Sequence, residues 1–244
     1  MVWLALLVVL LVLPLVWSAG VVYGSSFEHW SKARWDSAGL APDPATTPEP
    51  VIQVYAARAW GWKAVVAVHS WIAFKRAGAP AFERYEVVGW GVGRGAPAVR
   101  RNMRVIDGYW AGNRPELLLD RRGPEVTALI DQVEAAISSY PYPERYRTWP
   151  GPNSNTFVAH IARAVPALGL ELPPTAIGKD YLSNGSVLAR TPSGSGLQLS
   201  LLGVLGLGLA RDEGLEVNVL GLIFGVDPLD FALKLPGIGR FGLR

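Results

Sequence analysis

Two short segments about eighty-five residues apart carry the residue types of acyl-transfer chemistry. Val66-Ala67-Val68-His69-Ser70-Trp71-Ile72-Ala73-Phe74 reads as a strand with a histidine near its middle. Gly151-Pro152-Asn153-Ser154-Asn155-Thr156-Phe157-Val158 reads as a turn entering a helix, with a serine at the bend. Acyl transfer needs a nucleophile, a base within reach, a group that orients the base and donors for the oxyanion. Ser154 sits where free N–H groups and the helix dipole favour negative charge. His69 supplies a base. Glu86, on the next predicted strand, supplies an orienter. Asn153 and Asn155 are amide donors beside Ser154, and Trp149, Trp71 and Trp90 are candidates to wall a binding cleft.

Each of these residues also has an ordinary reading. Ser154 at a helix start can be an N-cap, since Ser and Asn are preferred there. His69 can be a half-buried strand histidine, and Glu86 a surface strand charge. Of the other two histidines, His160 falls on the helix after Ser154 and reads as structural, and His29 lies near the N-terminal apolar segment. Histidines this scattered make no metal site, and no His-Glu-x-x-His spacing occurs. The chain holds no cysteine, which excludes disulfides, thiol catalysis and Cys-ligated zinc. No cofactor motif is visible.

Half of the 244 residues are apolar and 18% are charged, enough for a sizeable core. With 27 Gly and 19 Pro the body should be rich in strands and turns. A formal charge of +3 with dispersed Lys and Arg does not suggest nucleic acid as a partner. The tightest basic group, Arg94, Arg100, Arg101 and Arg104, lies in a loop-like stretch and reads as a solvated connection.

The elements that must position the site follow from periodicity. Val51 to Arg58, Val65 to Lys75 and Arg84 to Val92 read as strands, the last two as a hairpin around Gly78. Leu117 to Asp120 reads as a short strand. Pro124 to Tyr140 has helical spacing at Val126, Leu129, Ile130, Val133 and Ile137. Thr156 to Val165 reads as a helix, and Pro173 to Leu182 as a short helix or turn. From Leu197 onward, alternation and glycines predict a β-hairpin or meander, in which a membrane-facing hairpin remains an alternative.

Residues 1–24 read as a transmembrane anchor or a signal segment. The run from Val2 to Trp17 is continuously apolar and, with the small residues after it, reaches the length of a bilayer span. No Lys or Arg precedes it and Trp17 spoils a cleavage after Ala19, so an uncleaved single-pass anchor fits better than a signal peptide. That reading implies a bilayer partner, location at a bacterial cell membrane with the side of the body open, and membrane-protein partners. Residues 25–50 read as an interfacial segment, with Ser25 to Asp36 as a short helix, and a proline-rich linker. Residues 51–190 read as the α+β body and 191–244 as a Gly/Leu-rich β extension.

Val54-Tyr-Ala-Ala-Arg-Ala-Trp-Gly-Trp-Lys63, His69-Ser-Trp-Ile72, Tyr85-Glu-Val-Val-Gly-Trp90, Trp149 to Val158 and Leu172-Pro-Pro-Thr-Ala-Ile-Gly-Lys-Asp-Tyr181 resemble the bacterial domain of unknown function 3750 family, over roughly Val51 to the C-terminus. More distantly, a histidine strand followed by Asn153-Ser154-Asn155-Thr156-Phe157 is similar to circularly permuted papain-like peptidases, the PPPDE and lecithin retinol acyltransferase-like groups, which carry Cys in an Asn-Cys-Asn-x-Phe motif. The resemblance implies a permuted papain-like α+β core with an antiparallel sheet and packed helices. It places the base at His69, the nucleophile at Ser154 and an orienter at Glu86. Serine in place of cysteine implies either a serine nucleophile or a silent site serving as a scaffold or binding subunit. A serine hydroxyl is not ionised near neutral pH and needs more help from base and oxyanion donors than a thiol does.

Overall fold

The computed structural model describes residues 2–24 and 30–242, with side chains from residue 9 onward. The body is α+β with antiparallel strands throughout, and the described residues contain three α-helices and two sheets. The first sheet comprises β1 (Val51–Arg58), β2 (Val68–Lys75), β3 (Glu83–Val87), β4 (Val99–Arg101) and β5 (Glu116–Arg122), in the order β4-β3-β2-β1-β5. β1 and β2 are covered on both faces, which is why they read as nearly continuous apolar runs rather than as alternation. β2 starts later than its periodicity suggests, because Gly61–Val65 forms a 3-10 turn that leaves the end of the sheet open.

Two helices, α2 (Val126–Ser138) and α3 (Ser154–Ala164), cover one face of this sheet. α2 turns Val126, Ile130 and Val133 inward, and α3 contributes Phe157, Val158 and Ile161. These meet Ile52, Val54, Ile72 and Phe74 in the main core. The opposite face carries a smaller aromatic cluster of Tyr55, Ala57, Trp71, Val88 and Trp110. The stretch read as a linker packs beside this cluster: Leu40 and Ala41 donate their amides to the Asp107 carboxylate at 2.7 and 3.1 Å. Residues 25–29 of the expected interfacial helix lie outside the described residues, and residues 30–36 form turns. Residues 173–182 are likewise turns.

The second sheet is a seven-stranded meander: β6 (Leu188–Arg190), β7 (Gly196–Leu201), β8 (Leu205–Ala210), β9 (Gly214–Val219), β10 (Leu222–Asp227), β11 (Ala232–Leu235) and β12 (Gly239–Phe241). Its inward face is polar. Lys234 Nζ reaches Glu171 and Glu216 at 2.6 and 2.8 Å, and Lys179 Nζ reaches Glu216 at 2.7 Å. Asn218 donates to Asp180 at 2.6 Å. Burial pushes the Glu216 carboxyl up, but the two lysine ammonium groups outweigh it and hold it below its ordinary value.

The N-terminal helix α1 (Val2–Gly24) forms where the apolar run predicts one. The expected transmembrane helix is nevertheless overturned: among the described residues no helix is long and apolar enough to cross a membrane. Instead, α1 lies against the body. Pro14, Ser18 and Val22, spaced by four, form its buried stripe. The Ser18 hydroxyl lies 2.7 Å from the Val65 carbonyl and accepts from Arg58 Nη1 at 3.2 Å. A helix tied to the body by a buried polar group is a packed element of that body.

Replacing Lys234 with Met takes the cation from Glu171 and half the compensation from Glu216. We expect a loss of about 3 kcal/mol of unfolding free energy, the scale for breaking a buried pair from one side, measured by chemical denaturation.

Candidate active site

The N-terminus of α3 is fixed before any chemistry is considered. Asn153 is its N-cap: its side-chain oxygen accepts from the amides of Asn155 and Thr156, and the Thr156 hydroxyl accepts from the Asn153 amide. The cap is therefore Asn153, one residue before the serine, and Ser154 is the first helical residue. The Ser154 hydroxyl makes no hydrogen bond with the described residues, although the residue is 4% exposed. The capping box occupies the next two amides, so the Ser154 N–H is the first-turn donor left over.

Asn155 anchors this helix end to β2. Its amide nitrogen donates to the carbonyls of Val68 (3.0 Å) and Ile177 (2.8 Å), and its oxygen accepts from the Ser70 hydroxyl (2.8 Å). Asn153 Nδ2 donates to Thr148 and Ile177, both at 3.0 Å. Both asparagine side chains are thus spent on holding backbone. Gly178, at φ +99°, lets the turn pass over Asn153, whose side chain a Cβ there would strike.

His69 lies between the two β2 residues that Asn155 holds. Its Nε2 is 2.8 Å from Glu86 Oε2. Arg84 Nε is in turn 2.8 Å from Glu86 Oε1, and its guanidinium lies 4.1 Å over the Trp71 ring. The imidazole stacks on Trp110, with centroids 3.6 Å apart and planes 11° from parallel. Burial holds the His69 pKa below 6.5, against the opposing pull of Glu86. Burial pushes Glu86 up, but Arg84 and His69 prevail and keep it ionised below its ordinary range. The imidazole is thus neutral near pH 7, with its Nε2 proton directed to Glu86 and Nδ1 carrying the free lone pair.

His69 and Ser154 both line one cavity of 310 Å³ at the open end of the sheet. They do not hydrogen-bond to each other. Strand alternation sends His69 toward the aromatic cluster, whereas Ser70 and α3 lie across β2. The two side chains meet only at this cavity, beyond the strand end. Trp90 and Trp149 also line it, with Asn153 and Asn155. Trp71 stands behind the wall, fully buried, donating to the Ile106 carbonyl at 2.6 Å. His160 sits on α3 away from the cavity, beside Ser139 and Ser183. No group of three or more His, Asp or Glu able to hold a metal ion occurs among the described residues.

Sequence reasoning missed Arg84 and Trp110. Arg84 was findable: Arg84 and Glu86 alternate on β3, so both share the face of His69 once β2 and β3 pair. Trp110 arrives from a loop with no regular period, and only the folded chain places it on the imidazole. Trp60, Trp62, Leu220 and Leu222 complete the cavity rim for the same reason.

The model of a protein family described only as a protein of unknown function (DUF3750) matches residues 49–181. That is more than half of the chain, and the chain belongs to this family. The match covers the first sheet and its helices and ends at Tyr181, short of the C-terminus that the sequence resemblance reached. No curated protein and no solved structure matches the chain.

Glu86→Gln removes the anion that compensates buried Arg84, and we expect it to lower stability by about 3 kcal/mol. The buried imidazole sets a pH dependence of defined sign. The unfolded histidine takes up its proton below about 6.5, whereas the folded one resists. Stability from His69 is therefore present above that value and is lost as pH falls below it. Thermal unfolding from pH 7.5 to 5 should show this loss, and His69→Gln should flatten it. His160, also lowered by burial, accounts for a remaining slope.

Proposed function

We propose that this chain is an acyl-transfer enzyme of the hydrolase type. In this reading Ser154 is the nucleophile, His69 the general base and Glu86 the residue that orients the base. The observation that carries it is the buried His69–Glu86 contact of 2.8 Å, opening onto the same cavity as an unengaged serine at a helix N-terminus.

Catalysis then runs as follows. Nδ1 of neutral His69 accepts the Ser154 hydroxyl proton while Oγ bonds to a carbonyl carbon of an ester or amide. Oxyanion charge develops beside the Ser154 N–H and the positive end of the α3 dipole. The intermediate collapses with cleavage of the bond to the leaving group, which takes the proton from the imidazolium. Water, deprotonated by the same nitrogen, then releases the acid and regenerates Ser154. Glu86 keeps the Nε2 proton in place and offsets the imidazolium charge, and the stacked Trp110 ring limits rotation of the base. Catalytic hydrogen bonds are often long without substrate and tighten in the complex.

A second reading has its own support. The base and the serine lie across β2 from each other without a hydrogen bond, which suits a binding cavity on a silent enzyme scaffold. Labelling with a fluorophosphonate separates the two. Catalysis predicts labelling of the wild type, with loss of at least a hundredfold in both Ser154→Ala and His69→Ala, the lower range for removing an essential base. Equal labelling of all three proteins, or none of the wild type, sinks the enzyme reading and leaves the binding one.

A further inference from the structure

The second sheet has its polarity reversed. Residues paired across the strands share a face, so the registers define its two surfaces. One row reads Gln198, Gly208, Glu216, Gly225, Lys234 and Arg240, and it faces the body. The neighbouring row on the other surface reads Leu197, Leu209, Leu215, Val226, Leu233 and Phe241. Parallel rows repeat the pattern with Leu188, Leu199, Leu207 and Val217, and with Leu201, Leu205, Val219 and Leu222. Arg190, at the β6 edge, is the one charged strand residue on that outer face among the described residues. A sheet with one wet face normally turns its polar residues to water; here the leucines are outside, and Leu209 is 68% exposed.

The hairpin tips carry the same signature. Leu202-Gly203 and Leu220-Gly221 both take positive φ, the conformation for which Asn-Gly is preferred. A leucine there costs on the order of 1 kcal/mol, and its side chain is exposed in both turns. Phe231, also at positive φ, is 78% exposed.

We propose that this leucine face docks on a phospholipid surface, lying on it without crossing it. Three observations bear on the occupant. First, at strand spacings of about 4.8 Å and side-chain repeats of about 7 Å the face covers on the order of 600 Å² in projection, at the upper end of the apolar patches of monomeric proteins, so it calls for an occupant. Second, a copy stacked on the sheet would leave the protruding tips, Leu202, Leu220 and Phe231, uncovered, whereas a fluid apolar phase accommodates them. Third, the face continues through Leu220 and Leu222 into the cavity rim, where Trp60, Trp62, Trp90 and Trp149 stand exposed. Exposed tryptophans bordering an apolar surface suit the bilayer interface. Docking in this way sets the cavity mouth beside the acyl region, and the binding itself does not depend on catalysis at Ser154.

The test is flotation of the full chain with vesicles of phosphatidylcholine, and of equal parts phosphatidylcholine and phosphatidylglycerol. The wild type should float with both. Leu199→Glu combined with Leu207→Glu, at two exposed positions of the face, should weaken binding at least about tenfold in the folded variant. Val16→Glu on the exposed side of α1 should bind as the wild type does. Because the chain has no cysteine, Leu207→Cys carrying a polarity-sensitive dye gives a second readout, a blue shift on adding vesicles, that does not rely on the double variant folding. Failure of the wild type to float overturns the proposal. So does undiminished flotation of the folded double variant, or loss only in Val16→Glu, which would assign binding to the helix. A concentration-dependent dimer, without vesicle binding, that the double variant dissociates would assign the face to a second copy.

Discussion

The buried end of α3 is the constraint on which the site rests. A helix N-terminus leaves N–H groups without partners, and the end of β2 leaves the Val68 carbonyl in the same position. Asn153 and Asn155 meet both demands. One caps the helix from within and holds Thr148 and Ile177; the other ties the helix to Val68, Ile177 and Ser70. These bonds set the depth at which α3 enters the body and the direction of its dipole. They also bracket His69 between two fixed residues. The serine is left with neither a capping role nor a protein partner, its hydroxyl facing the cavity.

The charge network around His69 follows the same logic in a drier place. A buried carboxylate is tolerable only when compensated, and Glu86 lies between Arg84 and His69. The result is a neutral imidazole with one nitrogen committed and one available. This separation of roles comes from burial and charge together: burial disfavours the imidazolium, and the carboxylate fixes the tautomer. The flanking stack on Trp110 keeps the ring plane in register with that bond.

The second sheet shows a contrary solution to burial. Its contact with the body is made by lysine, glutamate and asparagine, and its leucines face away. The lysine pairs at Glu216 compensate the inward charges. α1 meets the body in a related way, through the Ser18 hydroxyl at the centre of its buried stripe. The family match ends before this sheet, so the matched segment coincides with the five-stranded sheet, its two helices and the cavity residues up to Ile177.

The sequence by itself determined the element types of the body. Val51 to Arg58, the α2 stripe and the alternation after Leu197 were legible because burial on one or two faces imposes periods of 3.6 and 2 residues. It also singled out His69, Glu86 and Ser154, because polar groups within apolar runs and at a helix start stand out against those periods. Tertiary structure alone decided the rest. The apolar run that suggested a bilayer span became a packed helix, with Ser18 bonded to carbonyls 47 and 219 residues away. Asn153 rather than Ser154 took the cap, since a carbonyl oxygen at that bend reaches two amides at once. Trp110 and Arg84 joined the site through loop closure and strand pairing. Alternation told that β7 to β10 are strands with one apolar face; which face turned to the body goes with the partners it gives Lys179 (Glu216), Glu171 (Lys234) and Arg163, which donates to Gln198 at 2.8 Å, a demand between distant segments that no local period records.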